Sequence, residues 1–163
     1  MRCCCVTRNS YICIYIIMTT EIAAIAEVCF ALRARRAARR ISRAYDRALA
    51  PKGIDVSQFN ILTVIGARAP VSLGDVANAL ALDPSTLSRT LQPLRLNGLV
   101  DVTGRRGRGG LTLSLSDRGW DVLVEASQVW RAVQAKIAAA LGESRVGPAI
   151  EVLERIDAAA GVP

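Results

Sequence analysis

Residues Leu82 to Leu99 read LDPSTLSRTLQPLRLNGL, and this stretch decides the fold. Asp83 is a favourable N-cap, Pro84 suits the first helical position and Gly98 can close the far end, which predicts a helix of about four turns. At about 100° per residue, the helix collects its leucines on one side: Leu87, Leu91 and Leu94. Its other side is polar and is predicted to form hydrogen bonds.

A shorter helix is predicted directly before it. The segment from Ser72 to Asp75 resembles a capping box, and apolar residues follow at helical spacing up to Leu80. Ala81 and Leu82 then make a tight connection. Two helices joined this closely are typical of a helix-turn-helix, whose second helix lies in the DNA major groove. The candidate DNA-binding residues on that helix are Ser85, Thr86, Ser88, Arg89 and Gln92.

A polar helix face is, taken alone, more typical of ordinary solvated surface. The residues that follow favour DNA. Two segments, 100–103 and 111–115, alternate apolar and polar side chains as half-buried strands do. Between them lies the glycine-rich tip GRRGRGG, whose arginines are candidates for the phosphate backbone or the minor groove: Arg105, Arg106 and Arg108. A merely solubilising loop is the alternative, and Val71 is a candidate for a short third strand. The predicted fold is mostly α with a small β-hairpin wing, a winged helix-turn-helix.

Composition narrows the function further. The 163 residues suit one domain, and a net charge of +7 favours a polyanionic partner. The absence of histidine excludes a Ser-His-Asp triad and histidine-containing zinc sites. No phosphate-binding glycine loop or convergent carboxylate pair is evident, so we expect no enzyme activity, cofactor or metal. The five cysteines crowd into the first 29 residues, which is not a disulfide framework and favours the cytoplasm.

The first 17 residues differ from the rest. The apolar run from Tyr11 to Met18 is shorter than the roughly 20 residues that span a bilayer, so we expect no membrane association. We interpret residues 1–17 as a non-native or disordered extension with Met18 as the true start; a tail that touches a membrane is the alternative. The winged-helix domain is then residues 18–163.

Long helices are predicted on both sides of a DNA-binding core at about 55–118. The first runs from Thr19 or Thr20 to about Leu49, with an apolar stripe opposite an arginine stripe. Ser57 is predicted to cap the next helix, whose apolar residues are Phe59, Leu62, Val64 and Ile65.

Beyond the wing, Ser116 caps a helix that ends at Gly142, with Trp120, Leu123, Ser127, Trp130, Gln134, Ile137 and Leu141 predicted on one side. A last helix has an apolar face of Ala149, Ile150, Leu153 and Ile156. One winged core cannot bury all these faces, so we predict a homodimer formed through helices at about 20–50 and 117–160.

Cys29 lies on the arginine side of the first helix, near Arg33 and Arg36. Nearby cations favour the thiolate, the form that peroxides oxidise, so Cys29 is a candidate redox sensor. A lone cysteine in a helix is more often a small packed hydrophobe.

The chain resembles the MarR family of bacterial transcriptional regulators over about residues 21–160. The resemblance rests on the order of elements and on three segments: RAYDRALAP through Gln58 and Phe59, LALD through NGLV at residues 80–100, and LSLSDRG at 113–119. It implies a dimeric repressor, less often an activator, released from a palindromic operator by small phenolic ligands or by oxidation of a cysteine.

The wing departs from that family, whose tips usually contain Asp-x-Arg, because this tip has no aspartate. The segment Val28 to Leu32 resembles the first-helix cysteine segment of the organic-hydroperoxide-sensing branch, which pairs its cysteine with tyrosines further along the helix. Here the position one turn on is Arg33, and Tyr45 is the only later tyrosine of the helix. We therefore expect a sequence-specific DNA-binding transcriptional regulator that responds to a small molecule or peroxide. The alternative is a winged-helix protein-interaction module without specific DNA binding.

Overall fold

A computed structural model describes residues 21–104 and 110–160. The segment Tyr11 to Met18 and the three wing-tip arginines lie outside these ranges. The described residues fall into two compact units, 21–42 in one and the rest, from Arg43 on, in the other. Within the ranges described, none of the helices has both the length and the apolar character to cross a bilayer.

The first unit is helical. Residues 21–28 form one segment, and helix α1 (Phe30–Leu49) begins in this unit and ends in the second. The sequence predicts a single helix here, whereas the structure interrupts it at Cys29. Helical hydrogen bonds nevertheless continue on both sides, from Cys29 N to Ile25 O (2.9 Å) and from Arg33 N to Cys29 O (3.1 Å). The apolar side chains of the first unit are mostly exposed, and Phe30 is 79% exposed.

The second unit is a winged helix-turn-helix. A 3-10 turn (Ala50–Lys52) follows α1, and the remaining elements are α2 (Val56–Arg68), β1 (Val71–Ser72), α3 (Leu73–Ala79), α4 (Pro84–Leu96), β2 (Val100–Gly104), β3 (Leu111–Leu115), α5 (Asp117–Leu141), a 3-10 turn (Glu143–Arg145) and α6 (Val146–Ala160). The strands form one antiparallel sheet in the order β1-β3-β2. Val71 pairs with Leu113, which confirms the third strand.

The cap of α2 corrects one expectation. Asp55, not Ser57, is the N-cap: its carboxylate accepts from Gln58 N (2.8 Å), and Gln58 Oε1 accepts from Asp55 N (3.1 Å). This reciprocal pair is a capping box, which satisfies two amides at once. Ser57 is the second residue of the helix and is therefore not its N-cap.

Helix α2 is the centre of the core. It contacts α3, α4, α5 and β3, so it is covered on most of its circumference. Phe59, Leu62 and Ile65 are buried as predicted. Ile61, which the sequence did not place in the core, is also fully buried, whereas Val64 is only partly buried.

Helix α5 buries Leu123 as predicted, but the rest of its predicted side is only partly buried or exposed. Its buried residues are Gly119, Leu123, Ala126 and Val133, whereas Trp120 and Trp130 are 45% and 37% exposed. The Trp120 indole nevertheless approaches α2, where a Cβ added to Gly66 would lie 3.3 Å from the tip of its ring. Ser116 is the N-cap and Gly142 the C-cap, both as predicted.

One polar contact joins α1 to α5. The Tyr45 hydroxyl donates to Gln134 Oε1 at 2.6 Å, and burial raises the pKa of Tyr45. The chain alone leaves apolar side chains uncovered elsewhere on α5 and on α6, among them Val124, Leu141, Ile150, Leu153 and Ile156. Such faces need a partner, as the sequence predicts.

Candidate nucleic-acid interface

Helices α3 and α4 form the predicted helix-turn-helix. Ser72 caps α3, with its Oγ accepting from Asp75 N (3.1 Å) and donating to Asp75 Oδ2 (2.7 Å). Ala81 adopts the left-handed conformation (φ +49°), and Leu82 N donates to Ala77 O (2.9 Å). These contacts make the connection tight and fix the angle at which α4 leaves α3.

Helix α4 has the two predicted faces. Leu87, Leu91 and Leu94 are buried, whereas the candidate DNA-binding residues Ser85, Ser88, Arg89 and Gln92 are exposed. The helix ends two residues before Gly98, which is left-handed (φ +67°). Gly98 N donates to Arg95 O (3.0 Å) and Leu99 N to Leu94 O (2.9 Å), which satisfies carbonyls that a helix end leaves unpaired. The helix is thereby held by its inner face and by both ends.

Asp83 organises the first turn of α4. Its Oδ1 accepts from Ser85 N (3.0 Å), Thr86 N (2.9 Å) and the Ser85 hydroxyl (2.5 Å). Its Oδ2 accepts from the Thr86 hydroxyl (2.6 Å). The pKa of Asp83 is held well below its usual range, mostly by the hydroxyls of Ser85 and Thr86 and to a smaller extent by their backbone amides. The sequence identified Asp83 only as a cap, although hydroxyl side chains two and three residues after an aspartate could have indicated this cluster.

Arg89 lies against Ser85, whereas Thr86 and Gln92 line two different clefts. Arg89 folds back along the helix, with Nε donating to Ser85 O (3.3 Å) and Nη2 to Ser85 Oγ (3.4 Å). Thr86 is half-buried and lines a cleft of about 130 Å³ next to α2. Gln92 lines a groove of about 410 Å³ against β2. Arg95, which the sequence did not single out, lines the same groove and extends the exposed face by one turn.

The wing is described up to both sides of its tip. Strands β2 and β3 pair from Val100 with Leu115 to Gly104 with Leu111. Gly104 and Gly110 have φ values of +95° and +66°, and a Cβ on Gly104 would overlap the Gly110 carbonyl oxygen. Only glycine fits this approach at residue 104. Arg105, Arg106 and Arg108 lie in the undescribed tip, so their contact with DNA stays a prediction.

A second feature is a pocket of about 350 Å³ between α2 and α5. It is lined by Phe59, Asn60, Thr63, Leu123, Ser127, Trp130 and Arg131. The hydroxyls of Thr63 and Ser127 donate to their own helices, to Phe59 O (2.9 Å) and Leu123 O (2.8 Å). Aromatic walls, an amide and a guanidinium therefore remain to meet a ligand. The sequence placed four of these residues on helix faces (Phe59, Leu123, Ser127 and Trp130) but did not bring them together in a pocket, because they meet only when α2 packs on α5.

Cys29 is a free, partly buried thiol. The guanidinium of Arg33 is turned to the carbonyl oxygen of Glu27, with Nη2 at 2.7 Å and Nε at 3.2 Å. The redox role of Cys29 stays a prediction.

Comparison with known proteins identifies similar chains. A family model described as "MarR family" matches residues 52–109, from the turn after α1 to the wing tip. The crystal structure of the transcriptional regulator MosR from M. tuberculosis is 33% identical over 82% of this chain and 98% of its own, with a TM-score of 0.71. The same regulator in complex with DNA is 34% identical over 82% and 99%, with a TM-score of 0.69.

A more distant likeness concerns the fold alone. The crystal structure of CouR from Rhodococcus jostii RHA1 bound to p-coumaroyl-CoA is 21% identical over 80% of this chain and 92% of its own, with a TM-score of 0.70. A search of curated protein sequences found no significant match.

Proposed function

Because the chain belongs to the MarR family of transcriptional regulators, we propose that it is a homodimeric repressor whose α4 helices read the two half-sites of a palindromic operator. The observation that carries this proposal is the exposed polar face of α4 opposite its three buried leucines. In a winged helix-turn-helix, that face is the one that enters the major groove. The wing arginines Arg105, Arg106 and Arg108 would then hold the flanking backbone or minor groove.

Two further observations support DNA as the partner. MosR, which is about one-third identical over nearly its whole length, has been crystallised with DNA. The net charge of +7 matches a polyanion. A dimer is supported by the apolar side chains of α5 and α6 that one chain leaves exposed. A two-fold dimer presents two copies of α4, as a palindrome requires.

The test is equilibrium binding of the full chain to DNA upstream of its own gene and to a shuffled fragment, at several salt concentrations. We expect preference for the upstream fragment at every salt, with log affinity falling linearly with log salt by about 0.9 per phosphate contact. Equal, salt-dependent binding to both fragments would show a basic surface without specificity. No binding to either would favour the protein-interaction module.

We propose that the pocket between α2 and α5 binds the small molecule that releases DNA. Its walls, Phe59 and Trp130, suit a flat ring, and Arg131 at its edge suits a carboxylate. Helix α2 also packs against α4, so a ligand that moves α2 relative to α5 changes the position of the DNA-reading helix. CouR, which has the same fold, has been crystallised bound to p-coumaroyl-CoA.

Tryptophan fluorescence tests this pocket. The chain has two tryptophans, so Trp120→Phe leaves Trp130 as the reporter. In that background, 4-hydroxybenzoate is expected to change the emission, and Arg131→Gln to weaken its binding about tenfold, because the charged hydrogen bond is lost. Lys136→Gln, which removes the same charge from α5 outside the pocket, is the matched control. The carboxylate assignment is wrong if Arg131→Gln weakens 4-hydroxybenzoate no more than it weakens neutral phenol.

A further inference from the structure

The first turn of α4 directs four hydrogen-bond donors at one carboxylate. The amides and hydroxyls of Ser85 and Thr86 all donate to Asp83. Helix N-termini commonly bind phosphate because their amides are unpaired. Here the two amides already have a partner, and that partner is an anion. This turn is therefore a poor phosphate site, although it lies on the DNA-reading helix.

The hydroxyl of Ser85 has a fixed direction. A serine hydroxyl has one proton to donate and two lone pairs to accept with. An ionised carboxylate can only accept, so the short contact of 2.5 Å between Ser85 Oγ and Asp83 Oδ1 must use the serine proton. The low pKa of Asp83 keeps the carboxylate ionised throughout the pH range in which duplex DNA is stable. Towards solvent, the exposed Ser85 oxygen presents lone pairs alone.

Arg89 already uses Ser85 in this way. Its Nη2 donates to Ser85 Oγ at 3.4 Å, so the serine oxygen accepts from a side chain while it donates to Asp83. The length of this contact leaves it easy to replace by a better donor. In the major groove, the base edges offer such donors only at the exocyclic amino groups of adenine and cytosine.

We propose that Ser85 reads its base as a hydrogen-bond acceptor only, so that it selects an adenine or cytosine amino group, and that Asp83 is the positioning residue that imposes this choice. The inference rests on the proposed DNA-binding function. Guanine and thymine present only acceptors to the groove, and phosphate oxygens are acceptors as well. Each base pair has one exocyclic amino group in the major groove, on one of its two strands. Ser85 therefore favours a half-site in which the strand that it faces carries the adenine or cytosine.

Ser88 is the matched control on the same face. Among the hydrogen bonds of the described residues, none involves its hydroxyl, so its proton is free to donate or to rotate. Ser88 can accept from an amino group or donate to a guanine, a thymine or a phosphate. Within the described residues, no carboxylate holds the Ser88 proton as Asp83 holds that of Ser85.

Base analogues in the operator test the inference. Purine in place of adenine, or 2-pyrimidinone in place of cytosine, removes the amino donor and keeps the rest of the base. At one position in each half-site, this change is expected to weaken binding of the unmodified protein about fivefold to tenfold, and to have much less effect on Ser85→Ala. Comparing proteins on the same DNA cancels any effect of the analogue on the duplex. The same analogue set with Ser88→Ala is expected to retain the full loss at that position.

A second variant frees the hydroxyl proton of Ser85 without removing the serine. Asp83→Asn keeps a good N-cap oxygen, but its amide group cannot accept every donor and releases a hydroxyl proton. Selection from randomised half-sites is expected to shift the preferred base at this position towards guanine or thymine. A melting temperature close to that of the parent protein would show that the fold is retained.

The inference is overturned by either of two results. The first is that removal of the amino group weakens DNA binding by Ser85→Ala as much as by the parent protein, at every position of the half-site. The other concerns 7-deazapurine, which lacks the N7 acceptor. If this analogue weakens binding of the parent protein but not of Ser85→Ala, the Ser85 hydroxyl donates to N7. In both cases the parent protein still prefers its operator to shuffled DNA. If it shows no such preference, the proposed DNA-binding function fails instead.

Discussion

Gly119→Ala is expected to lower the free energy of unfolding by about 3 kcal/mol. Gly119 lies in the first turn of α5, where a Cβ would overlap the carbonyl oxygen of Leu99 and lie 3.0 Å from its carbonyl carbon. The Cβ of Leu115 would be 3.4 Å away on the other side. The obstacle is backbone, which cannot rotate away as a side chain does. The gain of about 1 kcal/mol from helix propensity does not offset it.

The packing at Gly119 joins three elements. The Ser116 hydroxyl donates to Gly98 O (2.6 Å) and accepts from Gly119 N (3.0 Å), and Ser116 N donates to Leu99 O (3.2 Å). These bonds tie the end of α4 and the start of β2 to the N-terminus of α5. A methyl group at residue 119 would separate them, so we also expect weaker operator binding, since the wing and α4 would no longer be held at one angle.

Urea unfolding followed by far-ultraviolet circular dichroism measures the effect. Protein concentration must be the same for all variants, because a dimer is stabilised by mass action. Gly147→Ala is the control: Gly147 is an exposed glycine of α6 with no atom within 4 Å of an added Cβ. That change is expected to be neutral or stabilising by up to about 1 kcal/mol. Equal stability of Gly119→Ala and the parent protein would contradict the close contact between α5 and Leu99.

The helix-turn-helix and the wing strands could be predicted because their signals are local. A cap, a proline at the first helical position, three leucines at helical spacing and a closing glycine are contained within the stretch from Leu82 to Leu99. Alternation located both wing strands in the same way, and Val71 could be recognised as a strand residue next to them. Once the three leucines define the buried side of α4, the residues on the opposite side are the exposed polar ones.

The rest depends on neighbours that are distant in sequence. Ile61 is buried because α2 has neighbours on several sides, which a single apolar stripe does not indicate. The same cause explains why Gly119 is buried in α5, since the backbone of Leu99 lies directly against it. Asp55 and Ser57 are both plausible caps by residue type, and the reciprocal bonds with Gln58 decide between them. The pocket at Arg131 exists only once α2 and α5 have packed.

Arg89→Ala is expected to weaken operator binding by about 1–3 kcal/mol, which is about fivefold to 150-fold, and to relax the base preference at one position of each half-site. Arg89 is exposed on the outer face of α4 and is held back only by contacts of 3.3 Å and 3.4 Å to Ser85. Bonds this long cost little to break, so the guanidinium is free to extend into the groove. Its fork of donors matches the two acceptors of guanine.

Competition between operator variants at one salt concentration separates this role from a simple charge effect. Arg145→Ala makes the same change of charge on the 3-10 turn after α5, a helix of 25 residues that begins next to the wing. A helix of that length extends about 37 Å, so Arg145 is a control outside the α4 face. We expect Arg145→Ala to leave the base preference unchanged.

Arg89→Lys decides between base and phosphate. Lysine keeps the positive charge but lacks the planar fork, so it can replace arginine at a phosphate more readily than at guanine. If Arg89 contacts a base, the lysine variant is expected to recover affinity for shuffled DNA and not the preference for the operator. Recovery of both, together with a uniform loss in Arg89→Ala and a salt slope lower by about 1, would assign Arg89 to a phosphate. Sequence selection by α4 would then rest on its serines and Gln92.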